Sequence, residues 1–313
     1  MDDWQSAEDC GARIDQVVAS LVSFFKRSGD CIVWIGSGLS IGCGYPSWTD
    51  AIQKLCDVCI PGKADIKPSS VASELLEWAD ICKATNPDEY LGTLAKLFGE
   101  PSHLLRTAYL HISACPFRYL VTTNFDPCLE AACTGKQQIL TYPNLALLVG
   151  RSRRTAIYLH GKARWGTRTD AKRLLLTKTD LDIAYTHSLS PLPSALTQLL
   201  ISNRVVFVGC GLREPVLRKL FECIKQLQES STSIPLTRKT ILLPETRDEE
   251  KAREEGEYMR SLGIEILRYP IALERGAQTQ GSGHHLLDEV WERVRAKVSP
   301  QSNPFSQEGG LPS

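Results

Sequence analysis

The chain has no excess of charge of either sign: 36 Lys and Arg side chains stand against 36 Asp and Glu side chains among 313 residues. A net charge of zero removes the long-range field that favours nonspecific binding to nucleic acids or anionic membranes. The densest basic cluster, Arg151, Arg153 and Arg154, is typical of a solvated loop. We therefore expect no direct contact with nucleic acid.

Long apolar runs are also missing. None approaches the ~18 residues that a membrane span requires, and the N-terminal sequence Met-Asp-Asp-Trp-Gln is acidic and polar, unlike a signal peptide. These absences predict a cytoplasmic protein without a membrane anchor.

A second C-x-x-C pair is the third absence. Cys56 and Cys59 form a single pair, whereas a structural zinc site needs a second pair or a suitably spaced Cys/His pair. The eleven cysteines are scattered, and some, such as Cys31 and Cys223, lie in apolar patterns. We expect most of them to be reduced core residues, and no bound metal.

Strand and helix patterns alternate along the chain. An amphipathic helix is predicted over 12–26, and β-rich runs follow a first apolar strand near residue 31. This alternation predicts an α/β fold, a Rossmann-like parallel sheet with helices on both faces. The predicted β-rich runs are 118–122, 156–160, 204–208, 239–243 and 264–269.

The domain organisation follows from the same patterns. Prolines punctuate short helical patterns over about 60–115, which indicates a helical insertion. We predict an N-terminal helix within 1–29, one domain over 30–298, and a disordered tail over 299–313 that is rich in Pro, Ser, Gln and Gly.

A glycine-rich turn directly follows the first strand. Gly36 and Gly38 have no Cβ, so their backbone N–H groups can approach a phosphate closely. The dinucleotide fingerprint expects a third glycine where Ile41 stands. A tight turn after a core strand explains this segment equally well.

Polar residues also follow the next strands, at the edge where parallel sheets bind ligands. Asn124 can orient a water or a ligand carboxamide, although Asn124 or Asp126 can equally cap the helix that begins near Pro127. His160 ends the third strand and suits a general base, but a histidine there can also be purely structural.

The motifs occur in one order: Gly-Ser-Gly-Leu-Ser and Gly-Tyr-Pro-Ser-Trp, then Thr-Thr-Asn-Phe-Asp, His-Gly, and Phe-Val-Gly-Cys-Gly-Leu-Arg-Glu-Pro. In this order, from about residue 30 to residue 270, the chain resembles the SIR2-like domain family. The resemblance is greatest to the sirtuin-related branch whose members cleave NAD in prokaryotic antiviral defence.

The resemblance implies roles for particular residues. Asn124 would be the catalytic or water-positioning residue and His160 the base, while Arg213-Glu214 departs from the family pattern and leaves Glu214 without a role. The implied NAD contacts are Gly36, Ser37, Gly38 and Ser40 at the phosphates, Pro46 and Trp48 beside the nicotinamide, Asp126 near its amide, Gly209, Gly211 and Leu212 under the adenine ribose, and also Thr123.

The resemblance also implies an activity. Deacetylating sirtuins carry a zinc module with two C-x-x-C pairs after the histidine, whereas this chain has no cysteine from 134 to 209. We therefore predict an NAD hydrolase that releases nicotinamide and ADP-ribose as a regulated defence effector. An NAD- or ADP-ribose-sensing oligomeric scaffold is the alternative, and a protein deacylase is a third. No second domain is recognisable after residue 270, so we expect control by homo-oligomerisation or by a separate sensor or activator protein.

Overall fold

The structure is a computed structural model that describes residues 7–26, 31–60, 68, 70–101, 104–133, 135, 137–145, 154–164, 166–187, 190–230, 237–271 and 284–299. Arg151, Arg153 and the predicted tail after Ser299 lie outside the described residues. None of the described helices is long and apolar enough to cross a membrane.

Seven strands form one parallel sheet in the order β3-β4-β2-β1-β5-β6-β7. This arrangement confirms the predicted Rossmann-like α/β fold. β3 was not predicted: it is a four-residue edge strand with one buried side chain, too short for a clear pattern. The strands are β1 (Cys31–Ile35), β2 (Tyr119–Thr122), β3 (Gln138–Thr141), β4 (Thr155–Tyr158), β5 (Arg204–Val208), β6 (Lys239–Pro244) and β7 (Glu265–Tyr269).

Helices cover both faces of the sheet, as predicted. The helices are α1 (Ala7–Lys26), α2 (Ser37–Ile41), α3 (Trp48–Cys59), α4 (Ala72–Thr85), α5 (Pro87–Gly99), α6 (Thr107–Ala114), α7 (Cys128–Ala132), α8 (Arg168–Ala171), α9 (Lys178–Thr186), α10 (Pro191–Ser202), α11 (Pro215–Ser230), α12 (Glu249–Ser261) and α13 (His285–Val298). α4 to α6 form the predicted helical insertion.

Successive residues of the central strands enter two separate hydrophobic cores, because side chains alternate across a sheet. Val33 and Ile35 of β1 pack in one core with α1, α3 and α13, whereas Ile32 and Trp34 pack in the other with α10 and α11. Every residue of β1 is buried, which explains its continuous apolar run.

α1 packs on α13, where Phe25 meets Trp291 edge to face with ring centroids 6.5 Å apart. The N-terminal helix therefore contributes to the same core as the sheet. The domain boundaries drawn from the sequence stay a prediction.

The eleven cysteines are all free, and most are buried, as predicted. Cys223 is a correction: it lies on the exposed side of α11, because the apolar stripe of that helix runs through Leu217, Phe221 and Ile224 instead. Cys56 and Cys59 lie in the core beside Cys82, whose Sγ is 3.7 Å from that of Cys56.

Candidate functional site

A cavity opens at the carboxyl ends of β1, β2 and β5. After β1 the chain continues to β2, toward one edge of the sheet, and after β5 it continues to β6, toward the opposite edge. The crevice between β1 and β5 is therefore the point where the strand order reverses. Ligands of doubly wound sheets bind at this point. The cavity and the open solvent at its mouth together make up about 870 Å³ of space that protein atoms do not fill.

Most of the residues that the sequence singles out line this cavity. The loops after four different strands supply them, because parallel strands end at one edge of the sheet. The predicted residues that line it are Gly36, Ser37, Ser40, Pro46, Trp48, Thr123, Asn124, Asp126, His160, Gly211 and Leu212.

Gly38 and Gly209 are predicted NAD contacts that are not among the lining residues. The Gly36 N–H donates to Val208 O and the Gly38 N–H to Gly209 O, both at 2.9 Å. A Cβ on Gly36 would overlap the Gly209 carbonyl oxygen, and one on Gly38 would lie 3.0 Å from the Gly209 Cα. The two loops therefore need glycine to pack against each other, and these two N–H groups are not directed at a ligand.

Ser40, which α2 carries, is the centre of a buried hydrogen-bond network. Its hydroxyl donates to Asp126 Oδ2 at 2.7 Å, lies 3.0 Å from the Tyr109 hydroxyl and accepts from Asn124 Nδ2 at 2.8 Å. A serine hydroxyl has one proton and two lone pairs. Since the proton goes to Asp126, Tyr109 and Asn124 fill the two acceptor positions.

This network determines how the Asn124 amide is oriented. Nδ2 points at Ser40, so Oδ1 faces away from it, and Oδ1 has no hydrogen-bond partner among the described residues. The Asn124 backbone N–H donates to Thr122 Oγ1 at 3.0 Å, which anchors the residue to the end of β2. Asn124 therefore presents a hydrogen-bond acceptor to the cavity.

Asp126 accepts two hydrogen bonds, one in the turn before α7 that the sequence allowed and one from Ser40 that it did not indicate. Oδ1 accepts from the Cys128 N–H at 3.0 Å, as in a turn that starts a helix, and Oδ2 accepts from Ser40. Its side chain is 2% exposed. Asp126 therefore starts α7 and also holds the network that orients Asn124.

His160 lies two residues after β4, in a turn whose Leu159 N–H donates to Thr122 O. Its Nε2 is 2.9 Å from the Tyr185 hydroxyl of α9, and its Nδ1 is 3.9 Å from Glu214 Oε2. Burial lowers the pKa of His160 to about 3. The imidazole is therefore neutral near pH 7 and has a nitrogen that can accept a proton or a hydrogen bond.

One part of the cavity wall is largely apolar. Pro46 and Trp48 lie at the start of α3, whose first turn Ser47 and Asp50 stabilise through a capping box. Trp34 of β1 also lines this wall, and the buried Trp48 Nε1 has no hydrogen-bond partner within the described part of the chain. An apolar wall facing a few polar groups is typical of a small-molecule site.

Three site residues were missed or left without a role by the sequence. Tyr109 lies in the helical insertion and Tyr185 near the end of α9. The sequence around each tyrosine does not distinguish it from an aromatic residue of the core. Glu214 precedes α11 and lines the cavity. Only the Leu-Arg-Glu-Pro motif marked its position.

No group of three or more His, Cys, Asp or Glu side chains that could hold a metal ion occurs in the described ranges. The C-x-x-C cysteines are packed in a hydrophobic core and lie away from the residues that line the cavity.

Comparison with known proteins shows which family this chain resembles. Residues 118–267, from the start of β2 to β7, match the family model described as SIR2-like domain. Defence-associated sirtuin 2 from Bacillus subtilis is 21% identical over 212 residues, a stretch that includes 67% of this chain and 21% of that protein. The chain thus spans about a fifth of the length of this relative.

Two solved structures show distant similarity. A crystal structure of a SIR2 homolog in complex with NAD matches with a TM-score of 0.46 and 13% identity, covering 90% of this chain and 95% of the other. A structure described under the mechanism and regulation of Sir2 enzymes matches with a TM-score of 0.42 and 14% identity, covering 90% and 98%. Neither score reaches 0.5, so the fold assignment rests on the seven-stranded sheet itself.

The family model begins at β2 and therefore does not include the glycine turn. The motifs after that point are the ones that the loops following β2, β4 and β5 deliver to the cavity. Residues 118–267 are similar to the SIR2-like domain family, and the resemblance to this family that the motifs predict is confirmed.

Proposed function

We propose that this chain is an NAD hydrolase, a glycohydrolase that releases nicotinamide and ADP-ribose and acts as a regulated effector of antiviral defence. The observation that supports it most is the orientation of Asn124, whose amide oxygen faces the cavity that His160 also lines. The name of the Bacillus subtilis relative supports a role in defence.

The reaction breaks the C–N bond between ribose and nicotinamide and forms a C–O bond to water, with release of one proton. Asn124 Oδ1 can accept a hydrogen bond from the attacking water and so direct its oxygen toward the ribose carbon. His160 is neutral, and can receive the proton directly or through a ribose hydroxyl. Pro46 and Trp48 supply an apolar surface for the nicotinamide ring.

One observation favours the alternative function, a scaffold that senses NAD or ADP-ribose with weak or no catalysis. A pKa of about 3 makes His160 a poor base in the ligand-free cavity, because proton acceptors work best when their pKa is near the operating pH. The deacylase alternative gains no support, since no paired C-x-x-C motif follows His160.

The test is nicotinamide release from NAD by the purified protein and by its Asn124→Ala variant. We expect a fall of at least about 100-fold in the variant, of the size seen when one positioned catalytic polar group is removed. NAD should still raise the melting temperature of the variant, because its other cavity residues are unchanged. Asn144→Ala is the matched control, since Asn144 is exposed and does not line this cavity.

The outcomes separate the candidate functions. Release that is equal in the wild type and in Asn124→Ala contradicts the assignment of Asn124. Thermal stabilisation by NAD without release, at every protein concentration tested, supports the sensing scaffold. Release of nicotinamide only when an acylated lysine peptide is added would establish the deacylase.

A further inference from the structure

Glu214 is a partly buried acidic residue that the proposed hydrolysis leaves unused. Its side chain is 22% exposed, and Oε2 is fully buried without a hydrogen-bond partner among the described residues. His160 Nδ1 lies 3.9 Å from Oε2, which is too far for a hydrogen bond. A buried acceptor without a donor is costly in free energy, so a ligand that supplies the donor is the natural explanation.

His160 Nδ1 is a second hydrogen-bond acceptor beside the Glu214 carboxyl. Burial raises the pKa of Tyr185 well above its ordinary value and keeps that phenol neutral. When the Nε2 proton of His160 is donated to the Tyr185 oxygen, 2.9 Å away, Nδ1 carries a lone pair. Nδ1 and the Glu214 carboxyl then form two neighbouring acceptors on one wall of the cavity.

We infer that Glu214 is a further substrate-binding residue, and that with His160 it recognises the cis-diol of the ribose that carries the nicotinamide. One hydroxyl of the diol donates to Glu214 and its neighbour donates to His160 Nδ1. His160 Nδ1 and Glu214 Oε2 are 3.9 Å apart, which is longer than a hydrogen bond. Two adjacent hydroxyl groups can therefore donate to one acceptor each without movement of either side chain. The inference rests on the proposed NAD substrate and adds the group that selects a ribose.

The electrostatics of the pair agree with this assignment. Burial raises the pKa of Glu214 to about 7, so an ionised carboxylate is available to a ligand near neutral pH but is not stabilised by a protein cation. Hydrogen bonds from a hydroxyl to a charged acceptor are stronger than bonds between neutral groups. A carboxylate that accepts from ribose hydroxyls is also a recurrent solution in sheets of this type.

The test measures binding of NAD and of its 2′-deoxy and 3′-deoxy forms, modified in the nicotinamide ribose, by calorimetry in the Asn124→Ala background. Adding Glu214→Ala should weaken NAD binding by about 10- to 100-fold, the range for a hydrogen bond to a charged group. The deoxy form that lacks the hydroxyl bound by Glu214 should bind both proteins equally. The other deoxy form should still lose affinity.

Glu222→Gln is the matched control, because Glu222 is a partly exposed residue of α11 that pairs with Arg218. It should leave all three affinities unchanged. Glu214→Gln keeps the shape and one acceptor oxygen, and should give an intermediate loss for NAD.

An unchanged NAD affinity in Glu214→Ala would overturn the inference, as would an equal loss for NAD and for both deoxy forms, which would indicate a general structural effect. Absence of NAD binding by the wild type would also overturn it. Hydrolysis is read separately in the wild type. A diol-selective pattern without nicotinamide release would refute the hydrolase and leave the ribose site standing.

Discussion

At the scale of single residues, the chemistry of the cavity depends on side chains whose own hydrogen bonds are all made to other protein groups. Ser40 is 3% exposed and all of its hydrogen-bonding capacity is used inside the protein. Its contribution is to orient the Asn124 amide, which is the group that faces the cavity. The resemblance implied a phosphate contact for Ser40, and the geometry supports a positioning role.

Ser40→Ala tests this role. The substitution leaves Asp126 Oδ2, Asn124 Nδ2 and the Tyr109 hydroxyl without their shared partner, so we expect a loss of about 1–3 kcal/mol in the free energy of unfolding. Nicotinamide release should fall as well, because the amide of Asn124 is free to rotate. Denaturant unfolding and turnover measure the two effects.

Ser113→Ala provides the comparison for Ser40→Ala. Ser113 is also buried, and its hydroxyl lies within hydrogen-bond distance of the Leu110 and Ala132 carbonyls, away from the cavity. It should lose stability without losing turnover. If the two variants lose turnover in proportion to their loss of stability, Ser40 has no positioning role.

Glu214 makes the stability of the protein depend on pH. Burial raises its pKa from 4.5 to about 7 in the folded state. The groups that face it are His160, Tyr185 and Cys210, and none supplies a positive charge near neutral pH. The folded state therefore favours the neutral carboxyl. The contribution of Glu214 to the free energy of unfolding is fully present below about pH 4.5 and is lost as the pH rises through about 7.

Glu214→Gln should therefore be more stable than the wild type at pH 8, by roughly 1–3 kcal/mol, and nearly equal to it at pH 4. The amide keeps the shape of the carboxyl and removes its ionisation. Denaturant unfolding at the two pH values measures the difference. A difference of the same size at both values would show that ionisation of Glu214 is not responsible.

At the scale of secondary-structure elements, the site depends on how closely the loop after β1 approaches the loop after β5. Gly36 and Gly38 pack against Gly209, whose φ of +66° favours glycine. Two backbone hydrogen bonds join the loops at 2.9 Å. The same contact places Ser37 and Ser40 of α2 and Gly211 and Leu212 on adjoining walls of the cavity.

Gly36→Ala should destabilise the protein by at least about 1–3 kcal/mol, because the new Cβ meets backbone atoms that can move only by separating the two loops. NAD binding should weaken at the same time. Gly11→Ala is the control: it lies in α1 with no heavy atom near the added Cβ, and should stabilise the helix by about 0.5–1 kcal/mol. Equal melting temperatures for Gly36→Ala and the wild type would contradict this packing role.

At the scale of the whole molecule, the sheet supplies one edge that carries the candidate groups, and the proposed regulation would act on that edge. An NAD hydrolase without control would deplete the NAD of its host. The sequence led us to expect homo-oligomerisation or a separate activator, and this stays a proposal. The relative from Bacillus subtilis is much longer than this chain.

If self-association controls the enzyme, nicotinamide release per mole of chain should rise with protein concentration, since mass action favours the oligomer. Turnover and light scattering over the same concentration range measure this. A constant specific activity from a monomer would contradict control by self-association and favour either a separate activator or a constitutively active chain.

The sequence by itself determined six of the seven strands, their alternation with helices, and the four strand ends that meet at the cavity. Continuous apolar runs such as β1 predict buried parallel strands because this signal is local, and the order of the motifs along the chain predicts the resemblance to the SIR2-like family. β3 escaped prediction because an edge strand buries one side chain in four and leaves almost no pattern.

The tertiary structure alone decided which groups cooperate. Ser40 and Asp126 are 86 residues apart, and His160 and Glu214 are brought to 3.9 Å across two loops. Neither separation leaves a periodic signal in the chain. From the sequence, the Gly36 and Gly38 N–H groups were expected to approach a phosphate. In the fold they donate to Val208 O of β5 and to Gly209 O in the loop after it. Local patterns determine elements, whereas the pairing of buried polar groups depends on which elements the core packs together.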